Sequence, residues 1–146
     1  MITQEIKNFL KEQKLGYVAT VSVDNTPNLS PKGTIIALDE KHIIFAEIRS
    51  PQTIANLKIN PKLEINVVDP LIRKGYRFKG NAKILTTGDE FTKIICEYKK
   101  SGIKSKINAI VKIRVSHVDE VTSPLYDLGY SEEDIKMKWK KIFLDR

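Results

Sequence analysis

A short polar segment at Arg49-Ser50-Pro51 carries the residues best suited to bind an anion. It follows a strand-like run and leads into one compact helical pattern, which ends before Pro61. Pro51 suits the first helical position, and the Ser50 hydroxyl is predicted to cap the helix. A helix start leaves N–H groups unpaired and carries partial positive charge, so phosphate is a suitable ligand there. Arg49, Ser50 and Thr53 add donors for phosphate oxygens, although an ordinary capped crossover helix would show the same pattern.

The familiar signatures of catalysis and metal binding are missing from the rest of the chain. His42 and His117 have no cysteine or second histidine at metal-ligand spacing, so no metal site is expected. Cys96 lies off the apolar face of its predicted helix and belongs to no nucleophile motif. There is no phosphate-binding glycine loop and no nucleophile elbow. A chain with an anion site but without its own nucleophile or metal suggests that a cofactor carries the chemistry.

Length and composition indicate one ordinary globular domain, residues 1–146. Hydrophobic residues make up 41% of the chain and charged residues 29%, as in most globular proteins. The single cysteine and the polar start without a secretory leader predict a cytoplasmic protein. No apolar run approaches the roughly 20 residues that a membrane span needs. The net charge is +7, but the lysines are scattered and no nucleic-acid-binding motif is present, so nucleic acid is not an expected partner.

Strands are the elements that must position the anion site. Alternating apolar residues and turn signals predict six strands, one helical crossover and peripheral helices, which suggests a small β-barrel with α additions. One predicted strand runs from Asn28 to Leu38 and contains Pro31 and Gly33. A proline and a glycine inside a strand argue for an edge position, a bulge or the close approach of a ligand.

This order of elements resembles the pyridoxamine 5′-phosphate oxidase-like flavoproteins over roughly residues 3 to 126. The most family-like segment is the helix, with its Asn56-Leu57-Lys58 and Asn60-Pro61 pattern. The segment Ser30-Pro31-Lys32-Gly33 and the loop before the helix fit the same family. The later segments, 73–80 and 123–126, are similar to its short general stress protein branch.

The resemblance implies a mainly β fold, a six-stranded antiparallel split β-barrel with peripheral helices. It also implies a homodimer that binds FMN in two symmetric clefts at the subunit interface. In that family the flavin ring packs against the strand that holds Ser30 to Thr34, and the phosphate meets the strand–helix loop. Carried over by position, the flavin-lining residues are Ser30, Pro31, Lys32 and Gly33, and those at the ring edge, ribityl chain and phosphate are Glu47, Ile48, Arg49, Ser50 and Thr53.

Lys32 has two interpretations in this scheme. Its ammonium could lie near the flavin and stabilise the negative charge of the reduced ring. It could equally face solvent, since lysine is common on edge strands.

The function that the resemblance implies is an FMN-binding oxidoreductase acting on an unidentified small molecule, with reduced nicotinamide as a possible electron donor. The oxidase places an Arg-Lys pair on the phosphate where this chain has Gln52-Thr53, and its C-terminal Arg-x-His element has no counterpart here. Pyridoxamine phosphate is therefore not the expected substrate. Two alternatives stay open: a non-catalytic flavin-binding stress protein, and a relative that binds another ligand, such as haem, in the same cleft.

Overall fold

Within residues 1–145, which the computed structural model describes, seven antiparallel strands form one sheet. The strands are β1 (Gly16–Val21), β2 (Pro27–Lys32), β3 (Ile36–Ala37), β4 (His42–Glu47), β5 (Lys62–Asp69), β6 (Lys74–Leu85) and β7 (Ala109–Thr122). Their order across the sheet is β2-β1-β5-β6-β7-β4-β3. The helices are α1 (Gln4–Gln13), α2 (Pro51–Ile59), α3 (Asp89–Lys100), a 3-10 helix (Pro124–Leu128) and α4 (Glu132–Leu144).

The sheet curls into a barrel because its two edge strands, β2 and β3, are consecutive in the chain. In a flat sheet, six spacings of about 4.8 Å would separate these edges by about 29 Å. The three residues 33–35 that join them allow at most about 14 Å. Opposite Lys79 and Gly80, Ser116 is an extra residue in β7, and this bulge bends β7. A Cβ on Gly80 would lie only 2.4 Å from the Arg114 carbonyl oxygen. Since the two edges are not paired with each other, the barrel stays split.

The prediction of a mainly β, antiparallel split barrel with peripheral helices is confirmed, with seven strands in place of six. The additional strand arises because the predicted Asn28–Leu38 strand is broken. β2 ends at Lys32, the chain crosses the split, and β3 begins at Ile36 on the opposite edge. Pro31 lies in an edge strand, as a proline in a strand predicts.

Two apolar clusters lie on opposite faces of the sheet. The inner cluster fills the barrel around Phe45 and Phe78, which are fully buried, and α1 adds Ile6 and Leu10 to it. The outer cluster lies where α3 covers β4 and β7. Its buried members are Ile44, Ala46, Ile94, Tyr98, Ile107 and Ile110. This outer cluster fixes α3 against the strand that leads into the predicted anion site.

α2 joins β4 to β5 and packs against β1 and β6. It begins at Pro51 and ends at Ile59, two residues before Pro61, so the two prolines bound it as predicted. No helix within residues 1–145 is long and apolar enough to cross a membrane.

Candidate functional site

A pocket lies between the end of β2 and the loop that joins β4 to α2. Its volume is about 320 Å³, near the lower end of the ~300–1,000 Å³ typical of small-molecule sites. Its walls are Ser30, Pro31, Lys32, Gly33 and Thr34 on one side and Ala46, Ile48, Arg49 and Ser50 on the other. The split between the sheet edges therefore brings together two segments that the sequence separates.

Lys32 is buried in this pocket wall, with 8% of its surface exposed, so the interpretation in which it faces solvent is wrong. Its ammonium donates a hydrogen bond to the Ser50 hydroxyl. The Ser50 hydroxyl in turn lies 3.5 Å from Glu47 Oε1, and the Ser50 N–H donates to the same carboxylate oxygen at 2.5 Å. Glu47 is 5% exposed. Ser50 thus bridges a buried ammonium and a buried carboxylate.

Burial lowers the pKa of Lys32 below its ordinary value, because a charged ammonium loses hydration inside the protein. The negative charge of Glu47 acts in the opposite direction and raises the pKa of Lys32. The ammonium also lies 5.6 Å from the centre of the Phe45 ring. The pocket wall therefore presents a cation whose charge depends on a neighbouring carboxylate.

The predicted capping role of the Ser50 hydroxyl is wrong. Ser50 does precede α2 at the N-cap position, but its side chain makes no hydrogen bond to the helix. The hydroxyl is instead occupied by Lys32 and Glu47. The Thr53 N–H bonds to the backbone carbonyl of Ser50 at 3.1 Å. The start of α2 therefore lacks the side-chain cap that the sequence predicts.

The Thr53 side chain in the first turn of α2 is fully buried, and its hydroxyl has no hydrogen-bond partner within residues 1–145. Leaving a buried hydroxyl unpaired costs about 1–3 kcal/mol, so such a group calls for an acceptor or a donor from outside the chain. A phosphate held at the helix start would supply acceptors of the right kind. The Thr53 hydroxyl does not line the pocket, so its contact with a phosphate stays a prediction, whereas the exposed Arg49 and the uncapped start of α2 are donors that fit an anionic ligand.

The structure brings most of the predicted site residues together around one pocket. Seven of the nine line it directly: Ser30, Pro31, Lys32, Gly33, Ile48, Arg49 and Ser50. Glu47 reaches it through Ser50, and Thr53 lies one helical turn beyond. Arg49 is solvent-exposed, so its guanidinium is accessible to a ligand.

Two pocket residues, Thr34 and Ala46, were not among the predicted site residues. The Ala46 N–H on β4 donates a hydrogen bond of 2.9 Å to the hydroxyl of Thr34, in the segment between β2 and β3. The position of Thr34 beside the Ser30–Gly33 segment could have indicated it. No sequence signal marks Ala46, since small residues are common in strands that face a helix. Within residues 1–145, no group of three metal-ligating side chains is close enough to hold a metal ion.

Comparison with known families gives one match, to the family model described as "Pyridoxamine 5′-phosphate oxidase", over residues 2–122. Comparison with curated proteins gives no match. Among solved structures, HupZ from Group A Streptococcus is 34% identical, with a TM-score of 0.75. That alignment covers 84% of this chain and 96% of HupZ.

Three more distant structures share the fold. An FMN-binding protein from Syntrophomonas wolfei is 16% identical (TM-score 0.71, 82% of this chain and 86% of that chain). HutZ, the haem storage protein of Vibrio cholerae, is also 16% identical (TM-score 0.64, 82% and 94%). General Stress Protein 26 from Bacillus anthracis is 17% identical (TM-score 0.61, 83% and 95%). At this level of identity the similarity concerns the fold alone.

Proposed function

This chain belongs to the pyridoxamine 5′-phosphate oxidase family, and we propose that it binds FMN in the pocket between β2 and the β4–α2 loop. We further propose that it is an oxidoreductase acting on a small organic molecule. The observation that carries the proposal is the Lys32–Ser50–Glu47 network, which places a buried cation in a pocket beside a helix start. A pocket that pairs a cation with an accessible arginine suits a ligand that is anionic at two places.

The donors present suit the two ends of FMN. Arg49 and the start of α2 would hold the phosphate, since both offer N–H groups to oxygen acceptors. The segment from Ser30 to Gly33 would lie along the ring. When bound, FMN would supply two-electron hydride chemistry that the side chains of this chain lack.

Lys32 and Glu47 have different electrostatic roles in the pocket. Lys32 would keep a positive charge on the ring side of the pocket, where negative charge develops during reduction. The negative charge of Glu47 raises the pKa of Lys32 against the effect of burial, and Ser50 joins the carboxylate to the ammonium. The side chain of Glu47 would thus tune the site without touching the ligand.

We propose that a second copy of the chain completes the pocket, because one chain encloses only about 320 Å³. Beside the pocket, the outer face of β1 and β2 carries no charged side chain. Its cross-strand pairs are Tyr17–Pro31, Ala19–Leu29 and Val21–Pro27. Leu29 is 67% exposed and Tyr17 is 44% exposed. Since Pro31 belongs to both this face and the pocket, a copy packed on the face would also cover the ligand.

The haem alternative has less support from the site. HutZ is related to this chain at the level of the fold alone. Haem iron is usually held by His, Cys, Met or Tyr, and the pocket described here is lined by none of them. FMN therefore remains the better-supported ligand.

The proposal is tested by the visible spectrum of freshly purified protein, before and after anaerobic addition of reduced nicotinamide. We expect the absorption bands of an oxidised flavin, and bleaching of these bands by the nicotinamide. If neither reduced nicotinamide nor any candidate substrate changes the flavin spectrum, the protein is a non-catalytic flavin carrier. A haem spectrum, or protein that stays colourless after incubation with FMN, would contradict the proposal.

A further inference from the structure

Residues 33–35, which cross the split from β2 to β3, continue the register of β3 against β4 without normal strand pairing. Ile36 pairs with Ile44, and Ala37 pairs with Ile43. Two residues further along, the same register would place Thr34 opposite Ala46. At that point the strand pairing has stopped, and the Ala46 N–H bonds to the Thr34 hydroxyl at 2.9 Å instead of to a backbone carbonyl.

The Thr34 carbonyl, which is free of the strand ladder, accepts a hydrogen bond from outside the barrel. The hydroxyl of Tyr98 on α3 donates to it at 2.7 Å. Tyr98 is 4% exposed and belongs to the outer apolar cluster. Burial raises the pKa of the Tyr98 hydroxyl far above its ordinary value, so the group stays protonated and remains a donor.

Packing fixes the neighbouring Ile35, which is 3% exposed and belongs to the inner cluster, whereas a hydrogen bond holds the Thr34 carbonyl. A cavity of about 530 Å³ separates part of α3 from β3 and β4, and Tyr98 lines this cavity together with Ile36 and Ala37. β3 itself has only two residues. The hydrogen bond from Tyr98 is therefore a specific link between α3 and the pocket wall at Thr34.

We propose that Tyr98 is a positioning residue for the FMN pocket: by holding the Thr34 carbonyl, it fixes the wall formed by residues 30–34. This inference rests on the proposed function, since the wall matters only if a ligand packs on it. Tyr98 does not line the pocket and acts through Thr34. Its loss should lower the fraction of molecules with a binding-competent wall, and the apparent dissociation constant rises as that fraction falls.

The test compares Tyr98→Phe with Tyr126→Phe. Both changes remove one tyrosine-to-carbonyl hydrogen bond, because the Tyr126 hydroxyl donates to the Ile72 carbonyl at 2.6 Å. Only Tyr98 contacts the pocket wall. FMN and riboflavin affinities are measured by flavin fluorescence, and hydrogen exchange at the Ala46 amide is measured in the ligand-free proteins.

For Tyr98→Phe we expect about tenfold weaker binding of both FMN and riboflavin, because the wall contacts the ring and not the phosphate. The Ala46 amide should also exchange faster, since its acceptor on Thr34 becomes mobile. Tyr126→Phe should leave the affinities and the Ala46 exchange unchanged even where it lowers the melting temperature. Higher salt should not restore the flavin affinity of Tyr98→Phe, because the substitution removes no charge.

Wild-type affinity for both flavins in Tyr98→Phe would overturn the inference, whatever the exchange rate at Ala46. Equal losses of affinity in the two variants would also overturn it, because they would point to general destabilisation. If the wild-type protein binds neither flavin, the proposed function fails. Exchange at Ala46 then still decides whether Tyr98 holds Thr34.

Discussion

Replacing Glu47 with Gln should destabilise the ligand-free protein by isolating the Lys32 ammonium. The amide keeps an oxygen acceptor for the Ser50 N–H, so the change removes mainly the negative charge. Removing one partner of a fully buried, directly paired ion pair costs about 3–5 kcal/mol, and here Ser50 lies between the two charges. Lys32 and Glu47 are 8% and 5% exposed, but Lys32 lines a pocket that water can enter. We therefore expect a loss of about 1–3 kcal/mol in the free energy of unfolding.

A double-mutant cycle separates this interaction from other effects of each change. The cycle uses Glu47→Gln, Lys32→Met and the double variant, each unfolded with urea at pH 7 without flavin. The coupling energy between the two positions should be about 1–3 kcal/mol, since the double variant no longer carries an isolated buried charge.

The exposed pair formed by Arg77 and Glu64, with a 3.1 Å contact, provides the matched control. Exposed pairs contribute about 0–1 kcal/mol, so its cycle should give a clearly smaller coupling. If the coupling between Lys32 and Glu47 is no larger than in this control, Glu47 does not stabilise the Lys32 charge and the reasoning is refuted.

Three further predictions concern Lys32 and the apolar face of β1 and β2. Burial lowers the pKa of Lys32, so the unfolded chain binds the proton of this ammonium more tightly than the folded protein does. The free energy of unfolding of the wild type should therefore rise, relative to that of Lys32→Met, as the pH increases from the folded pKa toward 10.5. Stability curves of the two proteins that run parallel over this pH range would refute this prediction. Lys32→Met should also lower the midpoint potential of bound FMN by tens of millivolts, where about 30 mV corresponds to 1.4 kcal/mol, and an unchanged potential in a redox titration would place Lys32 away from the ring. Light scattering should give twice the 16.7 kDa chain mass for the wild type and a lower mass for Leu29→Glu, whereas a wild-type monomer that binds FMN tightly would contradict the two-copy site.

The boundaries of α2 and the strand pattern could be predicted from local residues. Pro51 and Pro61 restrict their own backbone and that of the preceding residue, and these restrictions act whatever the rest of the chain does. Alternating apolar residues along β5 to β7 likewise reflect a sheet with one face toward the core. The antiparallel barrel follows from such patterns and from the family resemblance.

The contacts of the pocket could not be predicted, because they depend on how the barrel closes. Lys32 and Ser50 are 18 residues apart, and their hydrogen bond exists only because β2 ends beside the β4–α2 loop. A serine before a helix usually caps it, but here a buried ammonium competes for the same hydroxyl. Tyr98 and Thr34 are 64 residues apart, and nothing in the local pattern of α3 distinguishes this tyrosine from an ordinary core residue.

The most direct test of the central claim is a titration of wild type and Arg49→Ala with FMN and with riboflavin, which lacks the phosphate. A charge-assisted hydrogen bond contributes about 1.5–3 kcal/mol, so FMN should bind roughly 10- to 150-fold more weakly to the variant. Riboflavin should bind both proteins almost equally. Arg114→Ala, an exposed arginine on β7 away from the pocket, should change neither affinity. Equal losses of FMN and riboflavin in Arg49→Ala, or no FMN binding by the wild type, would contradict a phosphate site at the start of α2.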